Sequence, residues 1–423
     1  MKKVLIIANL FYASPRIPGV AKYLPEFGWQ PIILTTPLSD PPRERFVPPN
    51  DFRKNNRIIE TSTPTKDVGV RVKKGLSPKK YRYLRPLLKF LYRRYSEIVH
   101  YPDEEKGWKS LAVKAGDELL QSEGIDAVIS SSPPVTCHII AKELKSKHKI
   151  PWIADFRDLW SQNANYPYWP IRLFFDRRLE VKTIQLANAL VTVSSPMAEK
   201  LKMIHKGKMI YTITHGFDPD KMSDEKASLT SKFTITYTGQ IYKKQDPSKL
   251  LVALKDLIYE RDIDPNDVDV RFYGPEKRFL AKKIKEYELS AIVRQCGIVP
   301  REISFEKQRE PQLLLLLKWE DSRERGIYTG KVFEYLAAKR PILATGGTDD
   351  VVRELLNETS AGIDAQTVED IKSALRELYA EYKLEGKISY QGNAEKVNKY
   401  SYRERAKKFA DVINTILRES NIN

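Results

Sequence analysis

The stretch TGKVFEYLAAKRPILATGG, residues Thr329–Gly347, predicts a helix followed by a buried strand. The helix covers 331–338, and the strand after it is short, apolar and closed by Gly346 and Gly347. An apolar strand of this kind is typical of a parallel sheet with helices on both faces. Such sheets bind their ligands beyond the carboxyl ends of the strands. The residues that begin the helix are therefore candidates for a binding site.

Similar apolar runs alternate with helical stretches along the rest of the chain. The runs of the first half are VLIIAN, QPIILTT, DAVISSS, PWIADF and ALVTVSS, and those of the second half are FTITYTG, DVRFYG, LLLLLKW, RPILATG and SAGI. The predicted helices cover 103–123, 136–147, 168–187, 196–205, 247–260, 279–288, 331–338 and 351–356. Two such series predict an α/β protein with two doubly wound, Rossmann-like domains that face a cleft.

The two series are separated by a polar segment, HGFDPDKMSDEKASLTSKF, which runs from His215 to Phe233 and is rich in turn residues. We predict a first domain over 1–215, a linker over 216–232 and a second domain over 233–398. The last segment, 399–423, is amphipathic and predicts a closing helix that packs on either domain. The linker triplet Asp218–Asp220 matches the Asp-x-Asp pattern of some metal-binding sites, but no matching acidic partner accompanies it. We therefore predict a hinge and no metal site.

The composition excludes disordered and membrane-spanning classes of protein. The 423 residues include 41% hydrophobic and 30% charged residues, as in soluble globular proteins. The longest apolar run, Leu313–Leu317, is too short to cross a bilayer. The opening MKKVLIIANLFYASP is interpreted as a first strand rather than a signal peptide. Cys137 and Cys296 lack metal-ligand spacing and favour a reducing, cytoplasmic compartment.

The net charge of +17 is concentrated near the start of the chain, where residues 1–100 contain 20 Lys and Arg against 7 Asp and Glu. Its densest part, Arg71–Tyr95, has ten basic residues and no acidic one, with Leu84, Leu87, Leu88 and Leu91 at helical spacing. Two interpretations remain open: a peripheral helix on an anionic membrane, at the inner face of the plasma membrane, or a solvated basic helix whose leucines pack on the core. No nucleic-acid module accompanies the segment, and no nucleic acid is expected as a partner.

The front of the helix after Thr329 combines groups that suit a nucleotide. Thr329 is a candidate N-cap, and the amides that follow it, with Gly330 at the start, would face an anion with the helix dipole. Lys331 would add a full positive charge for a diphosphate. Glu334 lies on the same face and can accept two hydrogen bonds from a ribose diol. The alternative is an ordinary salt bridge between Lys331 and Glu334.

These residues resemble the donor-site helix of family-4 glycosyltransferases, which have the GT-B fold. Further stretches resemble the family in the same order: PRIPGVAKYLPEFGWQPIILT, SSPPVTCHIIAKEL with PWIADFRDLW, VTVSSPMAEKL with ITHGFD, and TYTGQIYKKQDPSKLLVAL. The second of them resembles a subgroup that acts on bacterial surface polysaccharides. The resemblance spans nearly the whole chain and rests on the order of the stretches.

The resemblance implies a retaining, metal-independent transferase without a cofactor. It would move a sugar from a nucleotide-diphosphate sugar to a glycan or lipid-linked acceptor. The candidates that it implies for the donor site, together with those from the sheet edges, are Gly239, Gln240, Lys244, Tyr273, Thr329, Gly330, Lys331 and Glu334. The chain departs from the family where Gly326 replaces a glutamate and where Gln240 and Gln245 replace basic residues.

In the first domain, the DFRD cluster follows a predicted strand. Asp155 or Asp158 would accept a proton from the acceptor hydroxyl or orient it, and Arg157 would hold it. The alternative is a structural Asp–Arg pair that caps the next helix. Four residues are candidates for contact with the acceptor or a phosphate: Arg16 and Gly19 in the first loop, Ser132 after a strand, and His138 on the next helix. A sugar-nucleotide epimerase of the same fold and a non-catalytic, anion- or membrane-binding adaptor are the alternative functions.

Overall fold

The structure is a computed structural model that describes residues 1–12, 15–39, 50–62, 85–163, 168–222, 228–242, 245–321, 326–347 and 350–422. The chain forms two compact units, Met1–Thr214 with Arg405–Asn423, and His215–Glu404. The donor-site candidate Lys244 and residues 71–84 of the basic segment lie outside the described residues.

The first unit contains a seven-stranded parallel sheet in the order β3-β2-β1-β4-β5-β6-β7. Its strands are β1 (Lys2–Ala8), β2 (Trp29–Thr35), β3 (Arg57–Glu60), β4 (Ala127–Ser132), β5 (Trp152–Phe156), β6 (Ala189–Thr192) and β7 (Met209–Thr212). The helices among the described residues of this unit, before the C-terminal one, are α1 (Arg16–Tyr23), α2 (Asn50–Asn55), α3 (Arg85–Val99), α4 (Lys109–Ser122), α5 (Thr136–His148), α6 (Pro170–Ile184) and α7 (Ser195–Ile204).

The second unit contains a six-stranded parallel sheet in the order β10-β9-β8-β11-β12-β13. Its strands are β8 (Phe233–Thr238), β9 (Val268–Tyr273), β10 (Val293–Gly297), β11 (Leu313–Leu317), β12 (Ile342–Thr345) and β13 (Gly362–Ala365). Its helices are α8 (Ser248–Tyr259), α9 (Arg278–Glu286), α10 (Arg301–Arg309), α11 (Gly330–Ala338), α12 (Val351–Thr359), α13 (Val368–Glu385) and α14 (Ala394–Asn398). The last helix, α15 (Tyr402–Ile422), belongs mostly to the first unit.

The five leucines of β11 show why a continuous apolar strand predicts a sheet with helices packed on both faces. Leu313, Leu315 and Leu317 pack in one core cluster with α8 and α13, whereas Leu314 and Leu316 pack in another with α11 and α12. Successive side chains of a strand point to opposite faces, so a strand that is covered on both faces must be apolar throughout. In each sheet the strand order reverses beside the first strand, at β1/β4 and β8/β11. The predicted class, two doubly wound α/β sheets, is confirmed.

Three strands that the sequence did not reveal, β3, β7 and β10, lie at sheet edges. Their residues are mostly half-buried or exposed, so they lack the continuous apolar run that marks the central strands. Helices α2, α10, α13 and α14 were also missed. The prediction ended the helix after Asp350 at Leu356, but α12 continues to Thr359.

The C-terminal helix packs on the first unit. Phe409, Ile413 and Ile416 are buried along one face of α15, and the Arg16 guanidinium lies 5.2 Å from the centroid of the Phe409 ring. Phe217, in the predicted linker, is buried with the core of the second unit. Over the part of the chain that the structure describes, no helix is long and apolar enough to cross a membrane.

Candidate functional site

Helix α11 begins beside the carboxyl ends of β8 and β11, at the point where the strand order of the second sheet reverses. Thr329 occupies the predicted N-cap position with an extended backbone, but its side chain makes no capping hydrogen bond. Its Oγ1 atom is buried and has no hydrogen-bond partner among the described residues. The start of α11 therefore has a hydroxyl without a partner at the positive end of a helix dipole, whereas the Val332 amide of the first turn donates to the Thr329 carbonyl at 3.1 Å.

Tyr335 fixes α11 against the end of β8. The Thr238 amide donates a hydrogen bond of 3.0 Å to the Tyr335 hydroxyl oxygen, and burial raises the pKa of Tyr335 to about 12. The hydroxyl therefore stays protonated at any physiological pH. This contact brings the first turn of α11 to the loop that follows β8.

The Lys331 ammonium lies at this junction of α11 and β8. Its Nζ donates a hydrogen bond of 3.3 Å to the Gln240 carbonyl and lies 5.4 Å and 5.7 Å from the ring centroids of Tyr237 and Tyr242. Burial lowers the pKa of Lys331 to about 8, although the Glu334 charge opposes the shift. Within the described residues Lys331 makes no ion pair, so its charge is poorly compensated unless an anion binds.

Gly239 is the residue that lets Lys331 reach this position. Its φ of +101° lies in a region that disfavours side chains, and a Cβ there would be 2.6 Å from Lys331 Cε. Gly274 is equally constrained, since its Cβ would be 2.3 Å from the Gly239 carbonyl oxygen. The Gly239 amide also donates to the Tyr273 carbonyl at 2.7 Å, which holds the ends of β8 and β9 together.

We expect Gly239→Ala to weaken nucleotide binding at least about tenfold, because the new methyl group displaces Lys331. The backbone strain should also lower the free energy of unfolding by ~1–3 kcal/mol. Gly297→Ala is the matched control, because Gly297 has a φ of +74° and no atom within 4 Å of its Cβ position. Calorimetric titration and urea unfolding of both variants separate the strain from the displacement of Lys331. Equal nucleotide affinity in the two variants would argue against the role of Lys331.

Glu334 is held by helix α10 and not by Lys331. Its Oε1 pairs with Arg301 Nη2 at 2.8 Å, and its Oε2 accepts a hydrogen bond of 3.4 Å from Gln308 Nε2. The salt bridge considered between Lys331 and Glu334 does not form, because each has a different partner. Gln308 Nε2 also donates to Thr238 Oγ1 at 3.0 Å, whereas its buried Oε1 has no partner within the described chain. Sequence reasoning missed Arg301 and Gln308 because α10 is polar and carries little apolar periodicity.

Two aromatic rings form the wall of the site beside Lys331. Tyr242 stacks on Trp319, with ring centroids 5.6 Å apart and an interplanar angle of 27°. Trp319 follows β11, and its indole Nε1 is buried without a partner in the described part of the chain. Neither residue was a sequence candidate; the signal available was their position just after a central strand.

The two glutamines that replace the basic residues of the resembled family contribute differently. Gln245 is buried, donates to the Leu317 carbonyl at 2.8 Å and accepts from the Tyr242 amide at 3.2 Å. It therefore connects the loop after β8 to the end of β11. Gln240 offers its carbonyl oxygen, which accepts from Lys331 and from the Tyr237 hydroxyl at 2.8 Å. Lys331 is therefore positioned by the backbone of Gln240, and neither glutamine side chain contacts it among the described hydrogen bonds.

In the first unit, Asp155 lies within a closed ionic cluster. Arg16 donates to it from Nε at 3.1 Å and Nη2 at 2.8 Å, and Ser131 Oγ donates at 2.7 Å. Arg16 Nη1 also donates to the Thr214 carbonyl at 2.7 Å. Burial opposes ionisation, but the Arg16 charge and these hydrogen bonds outweigh it and hold the pKa of Asp155 below its ordinary value.

This cluster corrects the placement of three first-domain candidates. Arg16 is the first residue of α1, not part of a loop, and its side chain is fully buried. Gly19 lies inside α1, where its amide donates to the Pro15 carbonyl at 2.9 Å. Asp155 is also fully buried, so its carboxylate has no exposed oxygen for an acceptor. The sequence left open a structural Asp–Arg pair within DFRD that caps the next helix. Asp155 pairs instead with Arg16, and the next helix, α6, has Trp169 at its N-cap without a side-chain capping hydrogen bond.

The other first-domain candidates surround the same cluster. Arg157 is buried and donates to the Ser131 hydroxyl at 3.0 Å and to the Pro133 carbonyl at 2.6 Å. His138 lies between the hydroxyls of Ser130, at 2.7 Å from Nδ1, and Ser132, at 2.9 Å from Nε2. Burial lowers the pKa of His138 to about 3, so the ring is neutral. Asp158 is the carboxylate of the DFRD cluster that remains partly exposed.

We expect Asp155→Asn to lower the free energy of unfolding by ~3 kcal/mol, because it leaves the buried Arg16 charge without a counterion. Since the folded-state pKa of Asp155 is depressed, its stabilising effect is present above its ordinary pKa and is lost as the pH falls through the folded value. Urea unfolding between pH 3 and 7 should therefore show a smaller acid dependence for the variant.

Asp158→Asn is the companion variant, and we expect it to have little effect on stability. Single-turnover rates of the two variants show which carboxylate acts on the acceptor. A stable Asp155→Asn protein without turnover would favour the base role of Asp155 over the structural one.

In the described ranges, no group of three or more His, Cys, Asp or Glu side chains is placed to hold a metal ion.

Solved structures with a similar fold include a glycosyltransferase from Rickettsia africae ESF-5, which is 14% identical with a TM-score of 0.59 over 99% of this chain and 96% of its own. HepE of Anabaena, in complex with UDP and glucose, is 10% identical with a TM-score of 0.56 over 100% and 98%. A putative UDP-N-acetylglucosamine 2-epimerase from Listeria monocytogenes is 14% identical with a TM-score of 0.55 over 99% and 98%. The predicted two-domain Rossmann-like fold of GT-B glycosyltransferases is confirmed.

The sequence by itself gives no such match. No protein-family model matches the chain, and no curated protein is similar to it in sequence.

Proposed function

We propose that the protein is a glycosyltransferase that binds a nucleoside-diphosphate sugar at the start of α11. The proposal rests on the separate partners of Lys331 and Glu334. The two residues lie three positions apart on α11, but Lys331 bonds to the Gln240 carbonyl and Glu334 to Arg301. A surface salt bridge would bring them together. A diphosphate and a ribose would use them separately.

The chemistry expected of this site is stabilisation of the leaving group. When the sugar departs, negative charge builds on the diphosphate, and we expect the Lys331 ammonium and the positive end of the α11 dipole to offset it. Thr329 Oγ1 offers a further hydrogen bond. Glu334, already oriented by Arg301 and Gln308, retains acceptor capacity for the two ribose hydroxyls. Tyr273, at the end of β9, is proposed to lie near the base.

The finer features of the function rest on the sequence resemblance. These are retention of configuration, independence of metal ions, and an acceptor that is a glycan or a lipid-linked glycan of a surface polysaccharide, as in the family-4 subgroup. Asp158 is the first-unit carboxylate that we propose for contact with the acceptor. A cytoplasmic location at the inner face of the plasma membrane is supported by two unpaired cysteines and by the basic segment Arg71–Tyr95.

A sugar-nucleotide epimerase is the second candidate, because the Listeria structure named as a putative epimerase has the same fold. The two enzymes differ in whether the reaction requires an acceptor. An epimerase changes its nucleotide sugar without an acceptor, whereas a transferase releases nucleoside diphosphate in proportion to the glycosylated acceptor.

The test begins with thermal unfolding in the presence of a panel of nucleotide sugars. We expect at least one to stabilise the protein, by ~2.7 kcal/mol at one hundred times its Kd. NMR of that nucleotide sugar with enzyme alone then separates the candidates. Conversion to a stereoisomer would identify an epimerase, and stabilisation by none of the panel would favour the non-catalytic adaptor.

A further inference from the structure

Over its first three turns, helix α6 turns charged side chains toward the protein and apolar ones toward solvent, whereas Ile184 of its last turn is buried in the core. Arg172, Asp176 and Glu180 are only 8%, 2% and 1% exposed. Phe174 and Phe175, on the other side, are 55% and 52% exposed. Helices of soluble proteins normally bury the apolar face instead. A group of exposed apolar side chains of this kind marks an interaction surface.

The inward contacts of α6 show that its orientation is specified. Arg172 Nε pairs with Asp176 Oδ2 at 2.7 Å, and its Nη2 donates to the Pro102 carbonyl at 2.5 Å. Glu180 accepts from the Ser161 amide at 3.0 Å and lies 3.1 Å from His205 Nε2. Rotating the helix to bury its phenylalanines would break the contacts of Arg172 with Pro102 and of Glu180 with Ser161 and His205, which is costly because these groups are buried.

Helix α3 extends the apolar surface. Phe90, Leu91, Tyr95 and Ile98 are all more than half exposed. The Arg94 guanidinium joins the two helices, at 5.0 Å from the ring centroid of Phe90 and 5.7 Å from that of Trp169, which precedes α6. We call these exposed side chains together the α3–α6 face, defined by Phe90, Leu91, Tyr95 and Ile98 with Trp169, Ile171, Phe174 and Phe175.

Around the α3–α6 face, basic side chains are exposed and acidic side chains are buried. Arg178 and Lys182 of α6 are exposed, and the Arg178 guanidinium lies 5.2 Å from the Phe174 ring centroid. The acidic residues of the two helices are turned inward: Glu97 is buried and pairs with Arg94 at 2.6 Å, and those of α6 are buried as described. Exposed aromatic and aliphatic side chains with basic residues beside them are the pattern of an interfacial membrane helix.

We propose that the α3–α6 face docks on the surface of an anionic lipid bilayer. Its aromatic and aliphatic side chains would enter the boundary between headgroups and acyl chains, while Arg178 and Lys182 would contact anionic headgroups. A second copy of the chain fits less well, because a two-fold contact would place these cations against their own copies. A nucleic acid would match the cations but leave Ile98 and Ile171 without an apolar partner.

This proposal does not depend on the assignment of the nucleotide site, which lies in the other unit. The proposed face extends the membrane segment predicted from sequence: Phe90, Leu91 and Tyr95 belong to Arg71–Tyr95, whereas α6 lies outside it. What marks α6 is the burial of its polar side, which the sequence pattern does not reveal.

The test is co-sedimentation of the full chain with phosphatidylcholine vesicles that contain or lack phosphatidylserine. We expect the wild-type protein to bind the anionic vesicles, and Phe174→Ser with Phe175→Ser to weaken that binding at least about tenfold. Arg178→Glu with Lys182→Glu should remove the preference for phosphatidylserine. The matched control is Tyr259→Ser with Leu384→Ser, which removes two apolar side chains that are 88% and 82% exposed in the second unit. It should bind like the wild type.

Thermal unfolding and circular dichroism of each variant establish that it is folded. The proposal is overturned if the wild-type protein ignores anionic vesicles, or if both α6 variants bind them as the control does. It is also overturned if light scattering shows a wild-type dimer that the Phe174/Phe175 variant disperses, or if a nucleic acid abolishes vesicle binding by competing for the same face.

Discussion

Lys331→Met is expected to abolish binding of nucleoside diphosphates while raising the stability of the protein. Burial lowers the pKa of Lys331 to about 8, so the folded state opposes the charge that the lysine carries at neutral pH. Methionine has a similar length and no charge, and should raise the free energy of unfolding by ~1–3 kcal/mol near pH 7. A gain of stability with a loss of binding is characteristic of a residue placed for function.

The pH dependence provides an internal check on this variant. Because the folded-state pKa of Lys331 is lower than that of the unfolded chain, the unfolded state binds more protons between the two values. Wild-type stability should therefore rise with pH from about 8 to 10.5, and this rise should be smaller in Lys331→Met. Affinity for a diphosphate should do the reverse and fall as the pH rises above about 8, because the ammonium loses its proton.

Urea unfolding and calorimetric titration with UDP and with inorganic pyrophosphate measure both effects. Lys282→Met on α9 is the matched control, because Lys282 is exposed and lies on another helix. It should change neither quantity. If Lys331→Met destabilises the protein and keeps its affinity for pyrophosphate, Lys331 is a structural residue and the proposed site is wrong.

Glu334→Gln is expected to weaken binding of UDP by about 10- to 100-fold, the worth of one or two hydrogen bonds to a charged acceptor. Inorganic pyrophosphate should bind this variant as it binds the wild type, because it has no ribose. The same reasoning predicts that 2′-deoxy-UDP loses less affinity than UDP when Glu334 is changed. Stability should fall by less than ~1 kcal/mol, since the Arg301 partner is 40% exposed.

Calorimetric titration with the three ligands tests this prediction. Glu306→Gln, at an exposed position of the helix that carries Arg301, is the control for loss of a surface carboxylate. Equal losses of affinity for UDP and pyrophosphate would show that Glu334 acts through Lys331 or through the fold, not through a ribose. Together with Lys331→Met, the ligand series assigns each residue to one part of the nucleotide.

The regular elements of the fold could be predicted because their causes are local. Leu313–Leu317 favours a covered strand, since five leucines in a row supply apolar side chains to both faces of a sheet. The start of α11 at Gly330 likewise follows from its own residues, with Thr329 before it. The edge strands β3, β7 and β10 escaped because solvent on one side relaxes the demand for apolar residues.

The partners of the charged side chains could not be predicted, because they come from distant parts of the chain. Sequence spacing alone placed Lys331 next to Glu334, but Arg301 and the Gln240 carbonyl lie 33 and 91 residues away from them. Asp155 found its counterion in Arg16, 139 residues earlier, and not in its neighbour Arg157. Which ion pair forms depends on which side chains the sheet brings within about 4 Å.

The amino-acid sequence by itself determined the two doubly wound sheets and the sheet edge at which α11 begins, because burial of apolar side chains acts on every strand separately. The tertiary structure alone decided which charges pair and which way α6 faces. An amphipathic helix has two sides, and the contacts of Arg172 and Glu180 with Pro102, Ser161 and His205 select the polar one for burial. Such contacts exist only after the strands and helices have packed.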